Sequence, residues 1–289
     1  MNIAVCIKQV PDTEGHIDVD RRSGSITSPN LVINPLDVLA VEEAVRIKGQ
    51  LVDVRVTVVC MGPDIAERAL RGALSMGADE AVHVWDEQLV GSDSYVAGRV
   101  LATAIGPEQY DLILCGQMAA DTQAGQGGAV IAEILEIPLI TAVVSIDLNL
   151  QSGRMEMQRK VDGGKREVVQ TSLPAVLTVE SGINKPRYPT LRAIKDAEKK
   201  QIEKLNLKAL DMSPNEVGAT GSLIKVVSVS VAKPSIKNLF VPDSNLLAID
   251  RINILMSGGI SDKKAEMILG GLQEAASYFV QFVKERKLL

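Results

Sequence analysis

The sequence predicts an α/β fold: a parallel sheet with helices on both faces, followed by a β meander and a C-terminal arm. Short runs of β-branched residues alternate with amphipathic helical patterns through the first half, as successive βαβ units require. After about residue 140 strand-like runs follow one another, with Asp162-Gly163-Gly164 as a hairpin turn. From Asp211 to Asp250 periodicity fades while Gly, Ser and Pro recur, which suits an arm better than a core. The chain thus divides into an α/β domain over 1–210 and an arm with a closing helix over 211–289.

Taken in order, Ile3–Ile7 reads as the first strand, and an excursion over 17–33 leaves room for a hairpin around Ser23-Gly24. Val54–Cys60, Ala81–Trp85 and Leu112–Cys115 read as further strands. Between them, Pro35–Lys48, Asp64–Met76, Asp93–Ile105 and Thr122–Leu135 carry apolar residues at three- and four-residue intervals and read as helices. The meander comprises Ala142–Leu148, Met155–Val161, Arg166–Thr171 and Ala175–Val179. A basic, proline-marked segment from Asn184 to Leu191 leads into a helical stretch ending near Lys204. An amphipathic helix from Lys263 to Lys287, broken near Gly270-Gly271, closes the chain.

Composition narrows the function. The 289 residues are 46% hydrophobic and 23% charged, with a net charge of −5. An acidic chain with 3% aromatics lacks the basic face and stacking platforms of a nucleic-acid binder. No apolar run reaches the length of a membrane span, and the N-terminus lacks the parts of a signal peptide. Cys6, Cys60 and Cys115 end apolar runs without any C-x-x-C spacing, as small buried hydrophobes do in a reducing cytoplasm. His16 and His83 have no acid or cysteine at ligand spacing, so no metal site is expected. Glu42-Glu43 and Asp79-Glu80 read as solvated faces. Ser257 to Asp262 reads as a capped helix start rather than a phosphate loop, although Ile252–Met256 before it has strand character.

The segment Gly116-Gln117-Met118-Ala119-Ala120-Asp121-Thr122-Gln123-Ala124-Gly125-Gln126-Gly127-Gly128 joins a strand end to a helix start. Such a turn gathers backbone N–H groups beside the positive end of a helix dipole, which suits a phosphate. No Lys follows the glycines and the spacing is not G-x-G-x-x-G, so neither familiar phosphate motif applies. Three other strand ends point to the same edge of the sheet: Cys6 to Val10, Ile33-Asn34-Pro35-Leu36-Asp37, and Cys60-Met61-Gly62-Pro63. Lys8 and Asp121 are the candidates for phosphate chemistry, and no Ser/His/acid set can be assembled. A carrier or binding subunit fits better than a hydrolase. Lys195, Lys199, Lys200 and Lys204 form either a solvated face or a charged ring around a docking site anchored by Leu191 and Ile194.

These segments, in this order, resemble the β subunit of electron transfer flavoproteins across nearly the whole chain. The resemblance rests on Val5 to Asp12, Asn34 to Asp37 running into Ala40 to Ala44, and Met61-Gly62-Pro63. It continues through Ala73 to Asp79, Gly116 to Leu135, Leu173 to Val176 and Pro186 to Leu191. It implies an adenine nucleotide α-hydrolase-like fold and a heterodimer with an α subunit that carries the redox FAD and is wrapped by the arm. It also implies a β site for AMP or a second FAD, contacting Cys6, Asn34 to Asp37, Met61 and the turn from Gly116 to Gly127. The segment at Leu191 matches the family's docking loop for acyl-CoA dehydrogenases. Gly125-Gln126-Gly127 replaces the Asn-Gln-Thr of AMP-type members, removing donors for a terminal phosphate and leaving room for a pyrophosphate that continues onward. That favours the second FAD, and with it electron bifurcation involving NADH and ferredoxin. Gly127 and Ala129 depart from the bifurcating pattern, which has Val and Pro there.

Overall fold

The computed structural model describes residues 1–15, 18–20, 26–27, 30–106, 110–149, 154–225, 227, 242–243, 245–256, 271, 273, 276–278 and 280. The chain separates into two compact units, Met1–Val231 and Ala232–Leu289. In the second, helix is described at Ala248–Met256, so Ile252–Met256 is helical and not a strand. The Ser257–Asp262 motif and His16 lie outside the described residues, as does most of the expected closing helix.

The first unit opens with β1 (Asn2–Ile7) and two short antiparallel pairs, β2 (Gln9–Pro11) with β5 (Leu31–Ile33) and β3 (Asp18–Val19) with β4 (Ile26–Thr27). The second pair is the expected hairpin, and its Ser23-Gly24 turn lies outside the described residues. There follow α1 (Pro35–Gln50), β6 (Arg55–Met61), α2 (Glu67–Met76), β7 (Glu80–Val84), α3 (Ser94–Ile105), β8 (Leu112–Gly116) and α4 (Gly127–Leu135). β9 (Leu139–Asn149), β10 (Arg154–Lys160), β11 (Arg166–Ser172), β12 (Ala175–Val179), α5 (Leu191–Lys199) and β13 (Glu203–Leu205) complete it.

One nine-stranded sheet runs β11-β10-β9-β12-β8-β1-β6-β7-β13. The strands β6, β1, β8 and β12 are parallel, while β10 and β11 add antiparallel at one end. Ile3, Val5, Leu112 and Leu114 join α1 and α2 in one buried cluster. Ala4, Cys6, Ile113 and Cys115 join α3 and α4 in a second, on the opposite face. This is the alternation a strand buried on both sides must show.

Two further expectations need correction. Ala175–Val179 does not continue the meander: β12 inserts between β8 and β9, parallel to both. Its residues are buried throughout, and a run that is apolar but for Thr178 belongs in the middle of a sheet. The helix after Leu191 ends at Lys199, and Glu203–Leu205 instead pairs with β7 as an edge strand. No helix among the described residues is long and apolar enough to cross a membrane.

Candidate functional site

Strand order reverses at β1. The chain steps outward from β1 to β6 and β7, then returns to place β8 on the other side of β1. Open α/β sheets form their ligand crevice at such a switch point, beyond the carboxyl ends of the two strands. Here one side chain spans it. Asp37, in the first turn of α1, accepts the Lys8 N–H on Oδ2 at 2.7 Å and the Gly116 N–H on Oδ1 at 3.0 Å. Burial pushes its carboxyl up to about 7, against the pull of the hydrogen bonds it accepts.

Asn34, 1% exposed, works beside it. Its backbone N–H donates to Lys8 O at 2.8 Å, its Nδ2 donates to Met118 O at 3.0 Å, and its Oδ1 accepts the Ala120 N–H at 2.9 Å. Lys8 Nζ reaches across to Asp121 Oδ2 at 2.7 Å. Gly116 is required by this closeness, because a Cβ there would lie 2.3 Å from Asp37 Oδ1 and 2.8 Å from Leu36 Cβ. The start of α1 thus grips the near half of the glycine-rich turn.

The far half of the turn is free of that grip. Asp121 to Gln126 are exposed, Gln123 and Gly125 take left-handed conformations (φ 51° and 61°), and Gln126 returns to φ −101°. Left-handed followed by right-handed backbone turns successive N–H groups to one side and makes a concavity for anions. The Gln126 side chain does not cap α4. The N–H groups ahead of the Val130 N to Gln126 O bond are therefore available to an outside acceptor. The expected helix at Thr122 begins only at Gly127, so Thr122 to Gln126 belong to this concavity. A Cβ at Gly127 would meet nothing within 4 Å. A groove of about 560 Å³ lies on one side of Gln126, lined also by Asp93, Tyr95, Ala129, Val130 and Glu133 among others.

The other predicted residues take distinct places. Pro35 and Met118 are exposed, Leu36, Met61, Ala119 and Ala120 half-buried. Gln117 turns inward, where its Oε1 accepts from Ala142 N at 2.9 Å and from the Thr178 hydroxyl. Cys6 pairs in register with Cys115. A hydrogen bond between the two thiols, together with burial, raises the Cys6 pKa well above that of an ordinary thiol. Burial also pushes Cys60 up to about 12, so both buried groups are neutral thiols.

Leu191 and Ile194 lie apart from the crevice, on α5, where they are 70% and 40% exposed beside Tyr188 at 97%. Thr190 caps this helix by accepting the Ala193 N–H at 3.2 Å. Arg71 Nη1 donates to Ala197 O at 2.7 Å at its other end. The lysines are partly committed elsewhere. Lys200 Nζ donates to Ala78 O at 2.7 Å, Lys204 pairs with Glu67, and Lys199 Nζ lies 3.5 Å from Asp196.

Glu42 and Glu43 overturn the solvated-face expectation, being only 4% and 6% exposed. Glu42 accepts Arg187 N–H and Nε on Oε2 (3.1 and 2.9 Å) and Arg187 Nη2 on Oε1 at 3.0 Å. Glu43 Oε2 accepts from Asn184 Nδ2 at 2.8 Å and Arg46 Nη1 at 3.1 Å. No local pattern reveals partners this distant in sequence. Asp79 likewise has company, in Lys48 Nζ and the Val56 N–H. His83 also differs from expectation, since Asp64 and Glu67 bring ligand atoms within 4.8 Å of it. The Lys204 ammonium pairs with Glu67 and lowers that carboxyl's pKa.

Comparison with known proteins gives a consistent result. The family model described as "Electron transfer flavoprotein domain" matches residues 26–210. "Electron transfer flavoprotein subunit beta" of Thermoanaerobacterium thermosaccharolyticum is 40% identical over 232 residues, covering 80% of this chain and 88% of its own. The protein of the same name from Methylophilus methylotrophus is 32% identical over 291 residues, 99% of each chain. That from Megasphaera elsdenii is 37% identical over 234 residues, 78% of this chain and 86% of its own.

Proposed function

The chain belongs to the electron transfer flavoprotein β subunits, and on that premise we propose how its residues serve electron transfer. Such a subunit acts with an α subunit and with flavoenzymes, as part of a redox complex and not as a stand-alone enzyme. The crevice between β1 and β8 is assigned to the phosphates of an adenosine-bearing nucleotide. Gly125, Gln126, Gly127 and the first turn of α4 would supply backbone N–H donors. Asn34 and Asp37 would hold the loop in place, and Cys6, Pro35, Leu36 and Met61 would line the approach. One observation carries this reading: the turn is braced on one side by Asn34 and Asp37, yet its exposed side keeps uncapped N–H groups at a helix start. Lys8 and Asp121, the two groups that could serve phosphate chemistry, are paired with each other at 2.7 Å.

We assign a second FAD in preference to AMP. Open space at Gly127 and the groove beside Gln126 leave room for a molecule that continues past its pyrophosphate. When bound, that flavin would supply the redox chemistry and divide electron pairs between NADH- and ferredoxin-linked routes. The protein's part is placement and exclusion of water. Residues 211–289 are assigned to contact with the α subunit. The exposed Tyr188, Leu191 and Ile194 are assigned to docking on an acyl-CoA dehydrogenase-type partner. Mass spectrometry of nucleotide released from the purified heterodimer tests the assignment. Two FAD per heterodimer is the expected result, and one FAD with one AMP would overturn it.

A further inference from the structure

Helix α1 holds the crevice and the docking segment at once. Asn34 and Asp37 at its start bind the turn that carries Gly116, Met118 and Ala120. Two turns on, Glu42 and Glu43 bind Arg187 and Asn184. From Asn34 to Glu43 the rise is about 13 Å. We propose that Glu42 and Glu43 are positioning residues for partner docking, and that filling the nucleotide crevice steadies the docking segment through α1. The inference rests on both assignments above, the nucleotide in the crevice and the docking patch at Leu191.

A buried carboxylate persists only where its charge is matched and its oxygens are bonded. Glu42 meets that condition with a single residue, Arg187, bound at its guanidinium on both carboxylate oxygens and at its own backbone N–H. This fixes the main chain of Arg187 as well as its side chain. Asn184 is held through its amide nitrogen, since Nδ2 donates to Glu43 Oε2 at 2.8 Å and to Leu39 O at 3.0 Å, while its buried Oδ1 has no partner among the described residues. Leu191 follows Arg187 by four residues, a tether of roughly 13 Å when extended. α1 thus fixes the chain that leads into α5, while Arg71 of α2 holds the far end of that helix by donating to Ala197 O at 2.7 Å. At the other end of α1, a ligand that orders the turn also orders Asn34 and Asp37. Reduced motion of a rigid helix then reaches Arg187 without any change in mean structure.

Limited trypsin digestion of the heterodimer reads this directly. The Arg187–Tyr188 bond can be cut, whereas Lys185 precedes Pro186 and resists. Nucleotide-free heterodimer is expected to be nicked after Arg187 about tenfold faster than loaded protein, the factor that loss of one charge-assisted hydrogen bond brings. Adding back FAD or AMP, whichever the purified protein releases, should restore protection. Equal nicking of loaded and stripped protein would overturn the coupling, and this arm needs no mutation. In a second arm, Glu42→Gln is expected to raise KM for an acyl-CoA dehydrogenase without lowering kcat or flavin content. Asn184→Ala serves as the second variant, with the same expectation, if Glu42→Gln folds poorly. An unchanged KM in a folded variant would overturn the positioning role. Failure of the docking assignment is recognised separately, because Leu191→Ala would then leave electron exchange untouched while the nicking difference persists.

Discussion

Asp37 organises the crevice from below, and that has a cost that pH exposes. Its carboxyl rises from 3.8 to about 7 on folding, chiefly through burial. Between those values the folded chain binds more protons than the unfolded one, so stability declines as pH rises. The advantage of the neutral form is complete below about 3.8 and gone above about 7. Urea unfolding across this window should show that decline, and Asp37→Asn should flatten it. Two glycines of the same loop make opposite predictions. Gly116→Ala drives a Cβ to 2.3 Å from Asp37 Oδ1 and should destabilise by about 1–3 kcal/mol. Gly127→Ala enters open space and should change stability by less than about 0.5 kcal/mol. Thermal unfolding of the two variants compares them directly. Gly127→Val should keep its nucleotide, whereas Gly127→Glu brings a negative charge to the phosphate cradle and should lose it on gel filtration. The sequence pointed to the glycines and to Asp37. It could not show that Asp37 faces backbone N–H groups and not the solvent.

Among elements, those set by local periodicity were legible and those set by distant partners were not. β1, α1, β6, β7 and β8 follow from runs and spacings that a short window contains. The helical pattern before α4 reaches back to Thr122 because Thr122 to Gln126 includes good helix formers, whose preference yields to the left-handed backbone at Gln123 and Gly125. Edge strand β13 is three residues long and exists through its pairing with β7, so no alternation announces it. α1 looked amphipathic with a charged outer face. Its Glu42 and Glu43 are buried because Arg187 and Asn184 come to them from far along the chain. α5 is held from behind by Arg71 and presents Leu191 outward. Leu191→Ala should therefore cost about 1–2 kcal/mol of partner binding. KM for the dehydrogenase would then rise roughly five- to thirtyfold at unchanged flavin content. Stopped-flow electron exchange against partner concentration measures it.

For the molecule as a whole, the unbroken parallel core and its two-faced burial were predictable. The merging of the meander into the same sheet was not, because the insertion of β12 between β8 and β9 is a matter of long-range order. A ligand gripped by loops from three crossovers should stabilise all of them together. Calorimetry should find the nucleotide-loaded heterodimer about 2.7 kcal/mol more stable when ligand exceeds its Kd a hundredfold. An identical transition after stripping would count against the crevice as its seat.

A sheet of nine strands has two outer rims where another molecule could be tempted to add a tenth. On β11 the rim carries Arg166, Glu167 and Gln170, and Glu167 and Gln170 are already turned toward Arg159 and Glu156 on its neighbour. On β13 it is only three residues long and bears Glu203 and Lys204. Charge at one end and brevity at the other discourage growth of the sheet into a filament.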